Sequence, residues 1–162
     1  MPALSPADTM TLAPRGDQEI VCTREFDAPR AMVFDAYTRP ELLKRWLLGP
    51  DGWSLVVCDV DLRVGGKYRW VWEKGDSRMG MGGEYREVKR PDKIVCTEVF
   101  DDPWYPGEGL TTVTLTERNG RTLLTTVMRY VSKEARDGVL KSGMEHGLKA
   151  SYNRLDSVLS SR

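Results

Sequence analysis

Histidine is almost missing from this chain: His146 is the only one in 162 residues. It falls on the polar arc of a C-terminal helix, almost opposite Leu155. That position removes the usual general base, any serine–histidine or cysteine–histidine nucleophile, and any His-rich metal site. Cysteine is scarce too. The three present, Cys22, Cys58 and Cys96, are far apart and form no C-x-x-C pair. Each lies among strand-like residues and reads as a buried free thiol in a reducing compartment. Neither sign of charge dominates, with 24 basic residues against 24 acidic and no basic block. Nucleic-acid and anionic-membrane partners, which depend on clustered Lys and Arg, are therefore not expected. No apolar run approaches the ~20 residues of a membrane span. Met1 to Gly16 lacks the basic start and apolar core of a secretory leader. Gly80-Met81-Gly82-Gly83 lacks the lysine and strand-loop-helix setting of a phosphate loop. The expectation is a cytoplasmic protein with no metal, no cofactor and no nucleic-acid or membrane partner.

What is present is pattern. Ser132 to Arg162 reads as one long helix capped by Ser132. At about a hundred degrees per residue, Leu140, Gly147, Leu148, Ser151, Leu155, Val158 and Leu159 share one arc. Ser142, Glu145, Lys149, Asn153, Asp156 and Ser157 share the opposite one with His146. Gly147 and Ser151 make the apolar stripe shallow, with Gly143 at its edge. Glycine costs a helix interior roughly 1 kcal/mol against alanine. Such small residues serve either a close backbone approach or room for a ligand.

Upstream, residues 1–16 show three prolines and little periodicity and are expected to be a flexible tail before a single domain, 17–162. Gln18 to Asp27 alternates as a strand, with Ile20, Cys22, Arg24 and Phe26 on one face. Pro29 and Pro40 each open a short helix, the second carrying Leu42, Leu43, Trp46 and Leu47. Strands are then predicted at Trp53–Asp61, Gly66–Lys74, Met79–Val88, Lys93–Phe100, Leu110–Glu117 and Thr122–Tyr130. Asn119-Gly120 is the strongest hairpin signal, since both residues tolerate positive φ. The predicted class is α+β: a seven-stranded curved antiparallel sheet around a long C-terminal helix, with two short helices after the first strand. Glycines at 65, 66, 80, 82 and 83 supply places for the strands to bend.

Several of these residues also carry a resemblance. Phe26-Asp27-Ala28-Pro29 with Val33-Phe34, Trp46 with Gly49-Pro50, and Asp61-Leu62-Arg63-Val64-Gly65-Gly66 occur in that order. With Gly143-Met144-Glu145, Ser151-Tyr152 and Arg154-Leu155, they resemble bacterial relatives of the heat-shock-protein-90 ATPase activator. That group belongs to the START-like, or SRPBCC, superfamily, alongside pollen allergens and polyketide cyclases. The resemblance implies a helix-grip fold enclosing an apolar cavity. It says little about function, because fold and function separate readily.

The most informative strand runs from Lys67 to Lys74. Tyr68, Trp70 and Trp72 share one face; Lys67, Arg69, Val71 and Glu73 share the other, which is expected to be solvated. Trp46, Trp53, Met81, Tyr85, Trp104, Met128 and Met144 are placed to meet the aromatics, with Gly147, Leu148 and Ser151 from the helix. The set is either ordinary core or the lining of a pocket for an apolar, aromatic ligand. Glu98 shares a strand face with Ile94, Cys96 and Phe100 and so points inward. There, desolvation disfavours its charge and fits it for acid–base work; the alternatives are pairing with an arginine such as Arg129, or the opposite phase of the strand, which turns it outward. Trp104 and Tyr105 sit in a proline-rich loop that either closes over a cavity mouth or merely covers the end of the sheet. Binding of a small hydrophobic ligand stands first. A cyclase- or hydrolase-like enzyme using Glu98 with Tyr68 or Tyr85 stands second. A chaperone cofactor stands third, since no residue pattern marks a contact face for such a partner.

Overall fold

The computed structural model describes residues 5–103 and 105–161. Eight strands form one antiparallel sheet: β1 (Thr11–Arg15), β2 (Glu19–Phe26), β3 (Ser54–Val60), β4 (Lys67–Lys74), β5 (Ser77–Lys89), β6 (Lys93–Phe100), β7 (Gly109–Arg118) and β8 (Arg121–Arg129). Their order is β1-β2-β8-β7-β6-β5-β4-β3. Helices α1 (Arg30–Thr38) and α2 (Pro40–Trp46) connect β2 to β3, while α3 (Lys133–Leu140) and α4 (Met144–Ser160) follow β8. The expected α+β helix-grip architecture is present, with one strand more than the seven foreseen. Irregularities at Leu55/Val57 and Tyr85/Glu87 break the strand register and help the sheet curve. Asn119 and Gly120 both take positive φ, 54° and 76°, joining β7 to β8 as a primed hairpin turn requires. No helix among the described residues is long and apolar enough to cross a membrane.

Three expectations are corrected. Residues 11–15, assigned above to a flexible tail, pair with β2 from Thr11↔Thr23 to Arg15↔Glu19. The strand is short and carries Pro14, which an edge position tolerates, so alternation could not reveal it. The single C-terminal helix is in fact two, separated at residues 141–143, because Gly143 adopts φ 85° and no helix continues through that conformation. The Ser132 cap stands as expected, its hydroxyl accepting from Ala135 N at 3.1 Å. Val71, expected on a solvated face, is buried. It lies between Val57 and Gly80 in register, and Arg69 and Glu73 on either side form ion pairs with Asp101 and Arg78 across the outer surface.

The sheet meets α4 through one buried cation. Arg24 is fully buried on β2 and donates to both carboxylate oxygens of Asp156, at 3.0 and 2.6 Å, and to Asn153 Oδ1 at 2.9 Å. Its guanidinium also lies 4.7 Å from the Phe26 ring centre. Two residues read as part of a solvated arc thus serve an interior cation, Asp156 by neutralising it and Asn153 by accepting a hydrogen bond. Removing one member of such a pair strands the other in a poor dielectric. Asp156→Ala is expected to lower unfolding stability by about 3 kcal/mol in urea titrations. The double variant Arg24→Met, Asp156→Ala should recover most of that loss.

Candidate functional site

Register decides what surrounds Glu98 on the inner face of the sheet. On β7 its neighbour is Gly109. On β5 the pairs Gly82↔Val99 and Tyr85↔Cys96 bring Gly83 opposite it. The carboxyl therefore stands between two positions that carry no side chain. Tyr68, paired with Gly83, fills one side: its ring crosses β5, and its hydroxyl donates to Thr97 O at 2.6 Å. Thr97 Oγ1 in turn accepts from Glu84 N at 2.9 Å, replacing a missing ladder bond. On the other side stand Tyr105 and Tyr130, edge to face at 5.3 Å, with Phe100 edge to face against Tyr105 at 6.1 Å.

Glu98 is half-buried, and desolvation raises its pKa; hydrogen bonds from Thr111 and Tyr105 oppose that rise. The Thr111 hydroxyl lies 3.5 Å from Oε2. No cation figures among the causes of the shift. The alternative pairing with Arg129 is not made, since that guanidinium is exposed and donates to Gln18 Oε1 at 3.1 Å. The Tyr68, Tyr105 and Tyr130 hydroxyls are pushed up by burial first, and Glu98 adds to each rise. They remain protonated donors throughout the physiological range.

Next to this group apolar burial is incomplete, and this partly covered stretch is the candidate cleft. In α4 the second half is buried through Ser151, Tyr152, Leu155, Val158 and Leu159, whereas Met144, Gly147 and Leu148 are only half-buried. On the sheet, Trp70, Trp72, Cys96 and Phe100 are half-buried as well, and all pack against the core from its edge. Trp70 stacks at a tilt on Tyr68, 4.6 Å away, and meets Trp72 edge to face at 6.1 Å. Trp72 Nε1 donates to Leu47 O at 2.8 Å. Trp70 Nε1 is sealed from solvent and has no hydrogen-bond partner among the described residues. Such an orphaned donor costs roughly 1–3 kcal/mol.

The other expected lining residues divide. Tyr85, Met81 and Met128 are buried on the inner face. Trp53 is half-buried just before β3. Trp46 belongs to the helical layer, where Nε1 donates to Ala36 O at 2.9 Å and the ring meets Tyr37 and Tyr152 at 4.9 and 6.2 Å. Gly147 and Ser151 face the loop after α2, not the cleft. Ser151 Oγ accepts from Gly49 N at 2.9 Å, and Arg154 donates to Gly49 O at 2.6 Å. Trp104 lies outside the described residues. Two surface hollows are present, of about 260 Å³ beside Arg15 and Arg129 and about 120 Å³ beside Met79 and Phe100, and neither is the chamber expected behind α4. Tyr130 and Thr111 were missed. Tyr130 continues the buried alternation of Thr122, Leu124, Thr126 and Met128, which would have found it.

A family model described as Activator of Hsp90 ATPase homolog 1-like protein matches residues 27–160. Among solved structures, a Rhodobacter sphaeroides protein is similar at TM-score 0.88 and 28% identity, over 94% of this chain and 99% of that one. A Mycobacterium smegmatis protein is similar at 0.80 and 26%, over 94% and 99%. An HSP90 activator from Plasmodium falciparum shares the fold at 0.63 and 21%, over 88% and 96%. No curated protein matches.

Gly83 on the inner face and Gly147 on the helix make opposite demands. A Cβ on Gly83 would overlap the Thr97 carbonyl and crowd Tyr68, whereas one on Gly147 meets nothing nearer than Pro50 Cδ at 3.6 Å. Gly83→Ala should lower the melting temperature sharply, and Gly147→Ala should raise stability by about 1 kcal/mol through helix propensity. Burial also lifts the thiols, to about 11 for Cys22 and Cys58 and about 12 for Cys96. Iodoacetamide at pH 8 should label the native protein about a hundredfold more slowly than the urea-unfolded chain, as followed by mass spectrometry.

Proposed function

The chain belongs to the Activator of Hsp90 ATPase homolog 1-like family, and from that premise we propose that it binds a small hydrophobic or aromatic molecule in the cleft between β4–β6 and the first half of α4. The observation that carries this reading is the uneven burial of α4. Its second half is packed, while Met144 and Leu148 are half-buried, as are Trp70, Trp72 and Phe100 on the sheet. Aromatic side chains bury some 150–250 Å² each when fully enclosed, so a flat apolar guest completes burial that the protein leaves unfinished. Three free thiols with high pKa values suit a reducing cytoplasm.

N-phenyl-1-naphthylamine, an uncharged probe that brightens in apolar surroundings, should bind the purified protein with micromolar affinity. Leu148→Trp fills the cleft from the helix side and should weaken that binding at least tenfold, with circular dichroism unchanged. Equal brightening by both proteins would end the reading.

A second reading rests on the Plasmodium relative. That protein, an HSP90 activator, shares the fold over 96% of its solved chain. Stimulation of the host chaperone's ATPase by stoichiometric protein supports it; an unchanged rate removes it. As for catalysis, Tyr68 spends its hydroxyl on Thr97 O, which leaves Tyr105 as the phenol bonded to Glu98.

A further inference from the structure

Resting on the cleft reading proposed above, we infer that residues 47–52, between α2 and β3, are a strap latched by Arg154, and that a guest enters and leaves when this latch opens. The strap bridges the sheet and the helix. At its start, Leu47 O accepts from Trp72 Nε1 on β4 at 2.8 Å. Further on, Gly49 N donates to Ser151 Oγ at 2.9 Å. Arg154 donates to Gly49 O at 2.6 Å and to Asp51 Oδ1 at 2.8 Å. Pro50 lies over Gly147, where an added Cβ would stand 3.6 Å from Pro50 Cδ. The bonds thus run from Trp72, a half-buried cleft residue, to α4 one turn beyond Leu148, another. Leu47 and Leu48 are themselves half-buried and pack on the core from its edge.

The strap is built to move without the body. Gly49 and Gly52 take φ 69° and 99°, left-handed values, and flank the exposed Pro50 and Asp51. Among the described residues, three side-chain bonds tie 49–52 to α4, and two of them come from Arg154. A segment with so few ties and a glycine on either side opens at a small fraction of the global unfolding free energy. The two Arg154 bonds differ in strength. Asp51 is fully exposed, so its ion pair is screened, whereas the bond to Gly49 O is partly buried. Arg24 holds α4 through Asn153 and Asp156, independently of Arg154, so the helix stays in place when the latch is removed.

Arg154→Met deletes both latch bonds and keeps an apolar stem. In stopped-flow mixing with N-phenyl-1-naphthylamine, association and dissociation rates should both rise about tenfold, with Kd changed less than twofold. Asp51→Asn, which loses only the exposed pair, should raise both rates about two- to threefold. Without any probe, amide hydrogen exchange at Gly49 should quicken about tenfold in Arg154→Met while exchange in β8 is unchanged. Faster exchange at Gly49 with unchanged binding rates overturns the strap as the entrance and leaves the cleft, reached from elsewhere, standing. Unchanged exchange at Gly49 overturns the latch, and so does a weakened Kd with an unchanged association rate. If Arg154→Met also quickens exchange in β8, the Asp51→Asn rates decide: a parallel rise supports the latch, and no rise overturns it. If the wild-type protein does not bind the probe, the cleft reading fails and its entrance with it.

Discussion

A guanidinium without exposed surface decides where the C-terminal helix lies. Arg24 cannot be left unpaired in the interior, and its partners Asp156 and Asn153 stand one turn apart on α4. Once those bonds form, the second half of α4 is fixed over β2, and Tyr152 comes to rest edge to face on Phe26 at 5.7 Å. Helices α1 and α2 close the same end: Tyr37 meets Trp46, and its hydroxyl bonds that of Tyr152 at 3.3 Å. The solid core is thus gathered at one end of the sheet. Toward β4–β6, Trp70, Trp72 and Phe100 remain half-buried, and Trp72 is held by Leu47 after α2.

Much of the sheet could be read from the chain because each strand carries its own evidence. Alternation along Lys93–Phe100 and the Asn119-Gly120 turn are local properties, and the structure keeps both. The features that escaped depend on neighbours distant in sequence or on single backbone angles. β1 exists because β2 offers it an edge, and its five residues are too few to show a period. The break before α4 is one torsion at Gly143, inside a stretch whose apolar arc runs on without interruption.

The site was legible to a smaller extent, for a related reason. Alternation tells which face of a strand is covered but not what covers it. Trp46 and Trp70 were therefore grouped together, although one is locked among helices and the other borders the cleft. Glu98 was singled out because it alternates with Ile94, Cys96 and Phe100. Its surroundings were not, since the glycines at 83 and 109 become its neighbours only through pairing. Those two glycines give the carboxyl its character: without them, side chains from β5 and β7 would stand beside it where the rings of Tyr68 and Tyr130 now lie.

The glycine joint ahead of α4 has a mechanical meaning when set beside the Arg24 anchorage. A rod pinned near one tip and jointed at the other can swing only about the pinned tip. Displacement is then greatest at Met144 and Leu148 and vanishes near Asp156. Any loosening of the rod is in this way confined to the end where Met144 and Leu148 are half-buried, while the packed end keeps its shape.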